Sequence, residues 1–142
     1  MTSPTARPHY LVDHSAMSHY WSSPVMKAEI DRLAGTGILC SSMVTMDEAR
    51  FSARSKKDLG FLTDVYRKQF FWLAFDEAAE QIVADVRTAL WQLGAGRGAQ
   101  TTGVLIAATA LRHNAVVVHN DTDFLTLQRA VPELRQLRIV AA

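Results

Sequence analysis

Residues 103–124 read GVLIAATALRHNAVVVHNDTDF and are the most informative part of the chain for its architecture. The segment GVLIAATALRH (103–113) is nearly all apolar, which predicts a helix buried between layers. The segment AVVVH (115–119) has the continuous apolar run that is typical of a central strand in a parallel sheet. A buried helix that leads into a central strand indicates an α/β protein.

Strands and helices alternate through the rest of the sequence. Strands are predicted at 9–13, 38–41, 70–75 and 137–141, and helices after Ser15 and at 25–33, 43–53, 55–68, 76–93 and 123–130. A Gly-rich loop is predicted at 94–103. This alternation predicts a three-layer α/β/α sandwich with a central parallel sheet. In the strand FFWLAF, Trp72 is expected to pack in the core rather than to stack on a ligand.

The composition narrows the function classes. The 142 residues include 15 Lys and Arg against 14 Asp and Glu, a net charge of +1, so binding to nucleic acid through overall charge is disfavoured. We expect a loose tail at 1–8 and one domain at 9–142. The single cysteine, Cys40, is expected to be buried, and with no secretion signal or membrane-spanning segment it indicates a cytoplasmic protein.

Acidic residues follow several of the predicted strands. Asp13 stands in LVDHSA, Asp121 in VVVHNDTDF, and Glu48 in the helix after the second strand. Ligands of open α/β sheets bind beyond the carboxyl ends of the strands, so these acids converge if the first and fourth strands are neighbours. Crowded carboxylates repel one another unless a cation neutralises them, and oxygen ligands suit Mg²⁺ or Mn²⁺. Such an ion activates water for attack on a phosphodiester.

Each acid also has a purely structural explanation. An Asp after a strand is commonly a helix cap, and we expect Asp123 to cap the last helix rather than to contact metal. Glu48 alone would be a solvated helix residue. His14 and His119 are expected to face solvent at strand ends. Six basic residues are expected to lie on solvated helix faces: Arg50, Arg54, Lys56, Lys57, Arg67 and Lys68. Four apolar residues of the early helices are expected to contact a partner or to form a dimer: Tyr20, Trp21, Val25 and Met26.

The segments LVDHSA, MVTMDEARFSAR, GVLIAATAL and VVVHNDTDF, in this order, resemble the motifs of PIN domains, and among these the VapC toxins of bacterial type II toxin–antitoxin pairs. The resemblance extends from about His9 to Val140. It implies a three-layer fold with the first and fourth strands adjacent, and Mg²⁺- or Mn²⁺-dependent endonucleolytic cleavage of RNA. It also implies a homodimer and a VapB-type antitoxin whose C-terminal segment covers the site.

The resemblance assigns catalytic and metal-binding roles to Asp13, Glu48 and Asp121, and it leaves one acidic position vacant. The family's third Asp stands in a D-x-LIAA pattern, which reads GVLIAA here, so Gly103 takes its place. Losing a helix-capping Asp to Gly costs only a few tenths of a kcal/mol, so the fold should survive. Losing a metal ligand should cost more than the ~10–100-fold typical of groups behind the ligands. We therefore expect weak or absent nuclease activity.

Alternatives stay open at this point. Gly103 fits a natural, degenerate toxin or a change that inactivates a toxin harmful to its host cell, and the three remaining acids favour the second. A non-catalytic module that only binds and sequesters an antitoxin is the main rival function. A receiver-like phosphoacceptor domain is disfavoured, because Asp13 has no second acid beside it and no Lys follows a late strand.

Overall fold

The computed structural model describes residues 6–140, in which strands and helices follow one another in the predicted order. Residues 1–5 of the predicted tail, and residues 141–142 of the predicted last strand and domain, lie outside the described residues. The strands are β1 (His9–Val12), β2 (Ile38–Ser41), β3 (Phe71–Trp72), β4 (Val116–His119) and β5 (Arg135–Arg138). The helices are α1 (His14–Met17), α2 (Pro24–Thr36), α3 (Met43–Phe51), α4 (Lys56–Gln69), α5 (Glu77–Gln92), α6 (Thr101–His113) and α7 (Asp123–Ala130).

The sheet is parallel throughout, with the strand order β3-β2-β1-β4-β5. The chain builds outward from β1 through β2 to β3, and then returns to place β4 on the other side of β1. Tyr10, Leu11 and Val12 pair with Val116, Val117 and Val118. The prediction that the first and fourth strands are neighbours is confirmed. The point where the strand order reverses lies at their carboxyl ends, which is where open α/β sheets bind ligands.

The two faces of the sheet are covered by different helices. Successive residues of a strand point to opposite faces, so Leu11 and Val117 belong to one core cluster, whereas Val12 and Val118 belong to the other. The first cluster draws on α5, α6 and α7, and the second on α1, α2 and α4. This arrangement confirms the predicted three-layer α/β/α sandwich. Cys40 is fully buried in the first cluster, as expected.

Helix α6 is the buried helix that the sequence predicts, but it begins two residues earlier, at Thr101. Its alanines, Ala107, Ala108 and Ala110, are at most 1% exposed, and their small side chains let neighbouring elements approach closely. The helix ends at Asn114, whose φ of 54° turns the chain out of the helix. Within residues 6–140, no helix combines the length and the apolar character needed to cross a membrane.

The prediction of a core strand at 70–75 is wrong in extent and in burial. Only Phe71 and Trp72 form β3, at the edge of the sheet, and they are 56% and 49% exposed. The residues on either side, Phe70 and Leu73, are buried instead. An aromatic run has the same local pattern in an edge strand as in a central one. Trp72 is therefore partly exposed, and the prediction that it packs in the core is wrong.

Two further boundaries differ from the prediction. Helix α2 continues through Gly35 to Thr36 instead of ending at Leu33, and the Gly37 N–H donates to the Leu33 carbonyl to close it. Strand β5 lies at Arg135–Arg138 rather than at 137–141, because it pairs along the whole of β4, from Val116 to His119. Pairing with β4 sets the bounds of β5, so the local sequence pattern does not reveal them.

Candidate active site

The acidic residues singled out in the sequence meet in one cavity at the carboxyl edge of the sheet. Asp13, Glu48, Asp121 and Asp123 all line a space of about 270 Å³. Asp13 follows β1, Asp121 follows β4, and Glu48 lies in the second turn of α3. The rest of the lining consists of His14, Ser15, Gln100, Thr102, Gly103, Ile106 and Phe124. The strand-order reversal therefore brings the predicted site residues together, and the position expected to hold a further acid lies among them.

Asp13 is 4% exposed and is the N-cap of α1, so this helix begins at His14 and not after Ser15 as predicted. Its Oδ2 accepts hydrogen bonds from the Ser15 backbone N–H at 3.2 Å and from the Ser15 hydroxyl. Its Oδ1 is buried and has no hydrogen-bond partner among the described residues. Burial raises the pKa of the Asp13 carboxyl, and the negative charge of Asp121 raises it further. This carboxylate has an oxygen free for a ligand.

Glu48 is half-buried on α3. A capping box between Ser42 and Thr45 fixes the start of α3. The buried side chain of Met46 holds the helix against the core. Burial raises the pKa of Glu48 to about 7, and the charges of Asp13 and Asp121 add to this effect. Glu48 is therefore an acid whose charge changes near neutral pH.

Ser15 ties the two central strands together at the site, a role that the sequence analysis missed. Its hydroxyl donates to Asp13 Oδ2 and accepts the Asn120 backbone N–H at 2.9 Å. Asp121 lies next in the chain, and its Oδ1 accepts the Asp123 backbone N–H at 2.9 Å. The only signal in the sequence is a hydroxyl two residues after the acid, and it becomes informative once β1 and β4 are known to be neighbours.

Asp123 has a different structural role from the one predicted. It is the first residue of α7, whose N-cap is Thr122, so it does not cap its own helix. Its Oδ2 instead accepts the backbone N–H of Gln100 at 3.0 Å. Gln100 is the N-cap of α6 and makes no capping bond with its own side chain. Asp123 therefore holds the start of the buried helix α6 against the loop after β4.

Gly103 is buried in the first turn of α6, two residues inside the helix, and not at the cap position assumed from the sequence. A Cβ atom at this position would lie 3.7 Å from Leu127 Cδ1, 3.9 Å from Asp123 Cβ and 4.0 Å from Asp123 Oδ2. These are ordinary van der Waals distances. The site thus has room for a side chain at 103, beside an acid that already lines the cavity.

The donor groups fit a hard divalent cation, although they do not form a closed coordination shell. Within residues 6–140, no three Asp, Glu, His or Cys side chains lie close enough together to hold an ion by themselves. Mg²⁺, however, is commonly held by one or two carboxylates and keeps several waters. The Asp13 Oδ1 oxygen has no hydrogen-bond partner among the described residues, and burial together with neighbouring carboxylates raises the pKa values of Asp13 and Glu48; these features fit a site for a cation.

His119 departs from the prediction that it faces solvent, because its side chain is fully buried. Burial lowers the pKa of its imidazole. His14 is half-buried, and its Nδ1 has no hydrogen-bond partner among the described residues. The expectation of solvent exposure is therefore wrong for His119, the last residue of β4.

Glu48 should make the metal-free protein less stable as the pH rises. A carboxyl with a raised folded-state pKa gives stability that is complete below its unfolded value of about 4.5 and lost as the pH passes about 7. His14 and His119, whose pKa values are lowered, give the opposite slope. The unfolding temperature of Glu48→Gln, measured in a chelator, should therefore rise relative to the unmodified protein across this range.

The matched control is Asp47→Asn, which removes an exposed carboxylate from the same helix. Its unfolding temperature should stay parallel to that of the unmodified protein. If the Glu48→Gln curve also stays parallel, the raised pKa of Glu48 is contradicted.

Comparison with known proteins identifies the family. A family model described as PIN domain matches residues 10–130. Ribonuclease VapC21 of Mycobacterium tuberculosis is 28% identical over 115 residues, which cover 81% of this chain and 83% of that protein. The crystal structure of VapBC2 from Rickettsia felis bound to a promoter DNA fragment gives a TM-score of 0.77 at 17% identity and covers 93% of this chain and 99% of that one.

DNA-bound VapBC from Salmonella typhimurium gives a TM-score of 0.73 at 20% identity and covers 92% of this chain and 98% of that one. At such identities, the structural matches establish a shared fold. The family model extends from β1 to the end of α7 and includes every acid of the cavity. The chain belongs to the PIN domain family.

Proposed function

We propose that the chain is the toxin of a type II toxin–antitoxin pair, an endoribonuclease that depends on Mg²⁺ or Mn²⁺ and is weakened by Gly103. The observation that carries this proposal is the cavity that gathers Asp13, Glu48 and Asp121 where the sheet reverses its strand order. The ribonuclease name of the M. tuberculosis relative and the VapBC complexes among similar structures support it.

Asp13, Glu48 and Asp121 are the proposed ligands of the cation. When bound, the cation would activate a water molecule and neutralise charge on the phosphodiester. Ser15 holds Asp13 by its Oδ2, which leaves Oδ1 free. Without the cation the pKa of Glu48 is about 7, so cation binding near neutral pH would displace a proton from the site. Gly103 leaves the cavity one carboxylate short of the family pattern, so this chain should bind the cation weakly.

Mn²⁺ binding tests the proposed site directly. Saturating Mn²⁺ should raise the unfolding temperature, because a ligand at 100 times its Kd stabilises the folded state by about 2.7 kcal/mol. Asp121→Asn should reduce this rise, since it removes a proposed ligand charge. Asp85→Asn, an exposed change on α5, is the control and should leave the rise intact. An unchanged Mn²⁺ effect in Asp121→Asn would contradict the assignment.

A second candidate function is a PIN-fold module that only binds and sequesters an antitoxin, and Gly103 favours it. An apolar groove of about 620 Å³ could accept a VapB-type segment; its lining includes Tyr20 and Trp21 near α1, Phe61 of α4 and Phe71 of β3. Trp21 and Phe61 are each 50% exposed.

We include a homodimer in the proposal, as the family resemblance implies.

Calorimetry with the cognate antitoxin tests this binding function. The chain as it stands should bind tightly, because the groove that would receive the antitoxin segment does not include position 103. Trp21→Ala should weaken binding by about 2 kcal/mol or more, as expected for a buried aromatic anchor. Absence of binding to the unmodified chain would eliminate the sequestration function.

A further inference from the structure

His119 lies behind the acidic cavity and is joined to Asp121 by a hydrogen bond. It is the last residue of β4 and is fully buried. The Asp121 backbone N–H donates to His119 Nδ1 at 3.0 Å. The imidazole also packs against Phe124, with 4.7 Å between ring centroids, and Phe124 lines the cavity. The His119 ring therefore contacts the loop that carries Asp121, on the side away from the cavity.

The other ring nitrogen continues into a chain of side-chain amides. His119 Nε2 lies 2.6 Å from Gln136 Oε1 on β5. Gln136 Nε2 donates to Gln128 Oε1 on α7 at 3.0 Å, and Gln128 Nε2 donates to the Leu134 carbonyl at 3.0 Å. We call this series, from the Asp121 N–H to the Leu134 carbonyl, the His119 hydrogen-bond chain. It links the loop that carries Asp121 to α7 and β5.

The two ends fix the direction of the whole chain. The Asp121 N–H can only donate and the Leu134 carbonyl can only accept. His119 Nδ1 must therefore be the acceptor, Nε2 must carry the proton, and both glutamine amides must point the way the contacts require. Both imidazole nitrogens are then occupied by these bonds. His119 has no lone pair free for a metal ion, so its role differs from that of the acids in front of it.

We propose that His119 is a positioning residue for Asp121: it is held as the neutral Nε2–H tautomer by Gln136 and fixes the Asp121 backbone for cation binding. The inference rests on the proposed function of Asp121 as a ligand. Groups that orient metal ligands from behind typically contribute ~10–100-fold to metal affinity. His119→Phe, which keeps an aromatic side chain but removes both nitrogens, should therefore weaken Mn²⁺ binding by about that factor.

Two variants separate positioning from simple packing. His119→Asn keeps an acceptor at the Nδ1 position for the Asp121 N–H, whereas His119→Gln keeps only the reach toward Gln136. Both are smaller than His, so both lose packing. Positioning predicts that the Asn variant retains more Mn²⁺ affinity than the Gln and Phe variants, whatever their order of thermal stability. An Asn variant that retains no more Mn²⁺ affinity than the Gln and Phe variants would overturn the proposal.

Nitrogen-15 NMR of the unmodified chain tests the same inference without a variant that must fold. The His119 ring should show a protonated Nε2 and an unprotonated Nδ1, and an Nδ1–H tautomer would overturn the proposal. Asp121→Asn separates this inference from the proposed function. If Asp121→Asn lowers Mn²⁺ affinity and His119→Phe does not, the positioning role fails alone. If Asp121→Asn has no effect, the proposed site itself fails.

Discussion

Gly103→Asp should increase Mn²⁺-dependent RNA cleavage by more than the ~10–100-fold that metal sites typically lose when a group behind a ligand is removed. The reason is that position 103 lines the cavity with Asp13, Glu48 and Asp121, so a carboxylate there joins the proposed ligands directly. The measurement is the rate of cleavage of several RNAs at saturating Mn²⁺, for the unmodified chain and for Gly103→Asp side by side.

The backbone can accept this substitution. Gly103 has ordinary helical geometry, and the nearest atom to an added Cβ would be Leu127 Cδ1 at 3.7 Å. An acidic residue in the first turn of a helix is also favoured by the helix dipole. The cost comes from Asp123, whose Oδ2 would lie 4.0 Å from the new Cβ. Repulsion between the two carboxylates should lower the stability of the variant without metal, so Mn²⁺ should stabilise it more than it stabilises the unmodified chain.

Matched controls isolate the charge at position 103. Gly103→Asn has nearly the same volume as Gly103→Asp without a negative charge, and Gly103→Ala tests the loss of backbone freedom alone. Both should leave cleavage close to that of the unmodified chain. No gain by Gly103→Asp on any RNA, together with unchanged Mn²⁺ affinity, would contradict the assignment of Gly103 as the vacant position.

The sequence predicted the centre of this fold better than its edges. The run from Val116 to Val118 and the buried helix before it have patterns that few other environments produce, and both elements lie within two residues of their predicted bounds. Trp72 has the same local pattern in an edge strand as in a core strand, so only the sheet order reveals its exposure. The position of β5 depends on pairing with β4 across the sheet and is likewise not a local property.

The acids of the site were also accessible from sequence, because parallel strands end at a common edge. The contacts that support these acids could not be predicted from the sequence. Ser15 reaches Asn120 across 105 positions, and His119 reaches Gln136 through the packing of β5 on β4. A buried His at a strand end has the same sequence signal as an exposed one. Contacts that join distant segments therefore account for most of the features that the sequence pattern does not predict.

Asp13→Asn should abolish the metal-dependent function and at the same time stabilise the metal-free protein. In the Gly103→Asp background, cleavage should fall by more than ~100-fold, because a direct ligand contributes at least as much as the groups behind it. Asn at position 13 can still accept the hydrogen bonds from Ser15 that cap α1. The fold should therefore survive the change, and lost cleavage can be assigned to the site.

The gain in stability should itself depend on pH. Burial and the charge of Asp121 raise the pKa of Asp13, so the stability linked to its proton is present at low pH and lost as the pH rises through that pKa. Asn never undergoes this loss. The unfolding temperature of Asp13→Asn, measured in a chelator, should thus exceed that of the unmodified chain at alkaline pH by about 2–4 °C per kcal/mol gained, and the difference should shrink in acid.

Mn²⁺ should reverse this order, because only the unmodified chain retains the Asp13 carboxylate for the cation. Asp85→Asn, which removes an exposed carboxylate from α5, should show neither the alkaline gain nor the loss of the Mn²⁺ effect. A buried acid that destabilises the protein without metal and stabilises it with metal is one kept for binding rather than for folding. An Asp13→Asn variant that is less stable than the unmodified chain in chelator at alkaline pH would contradict the raised pKa of Asp13 on which this prediction rests.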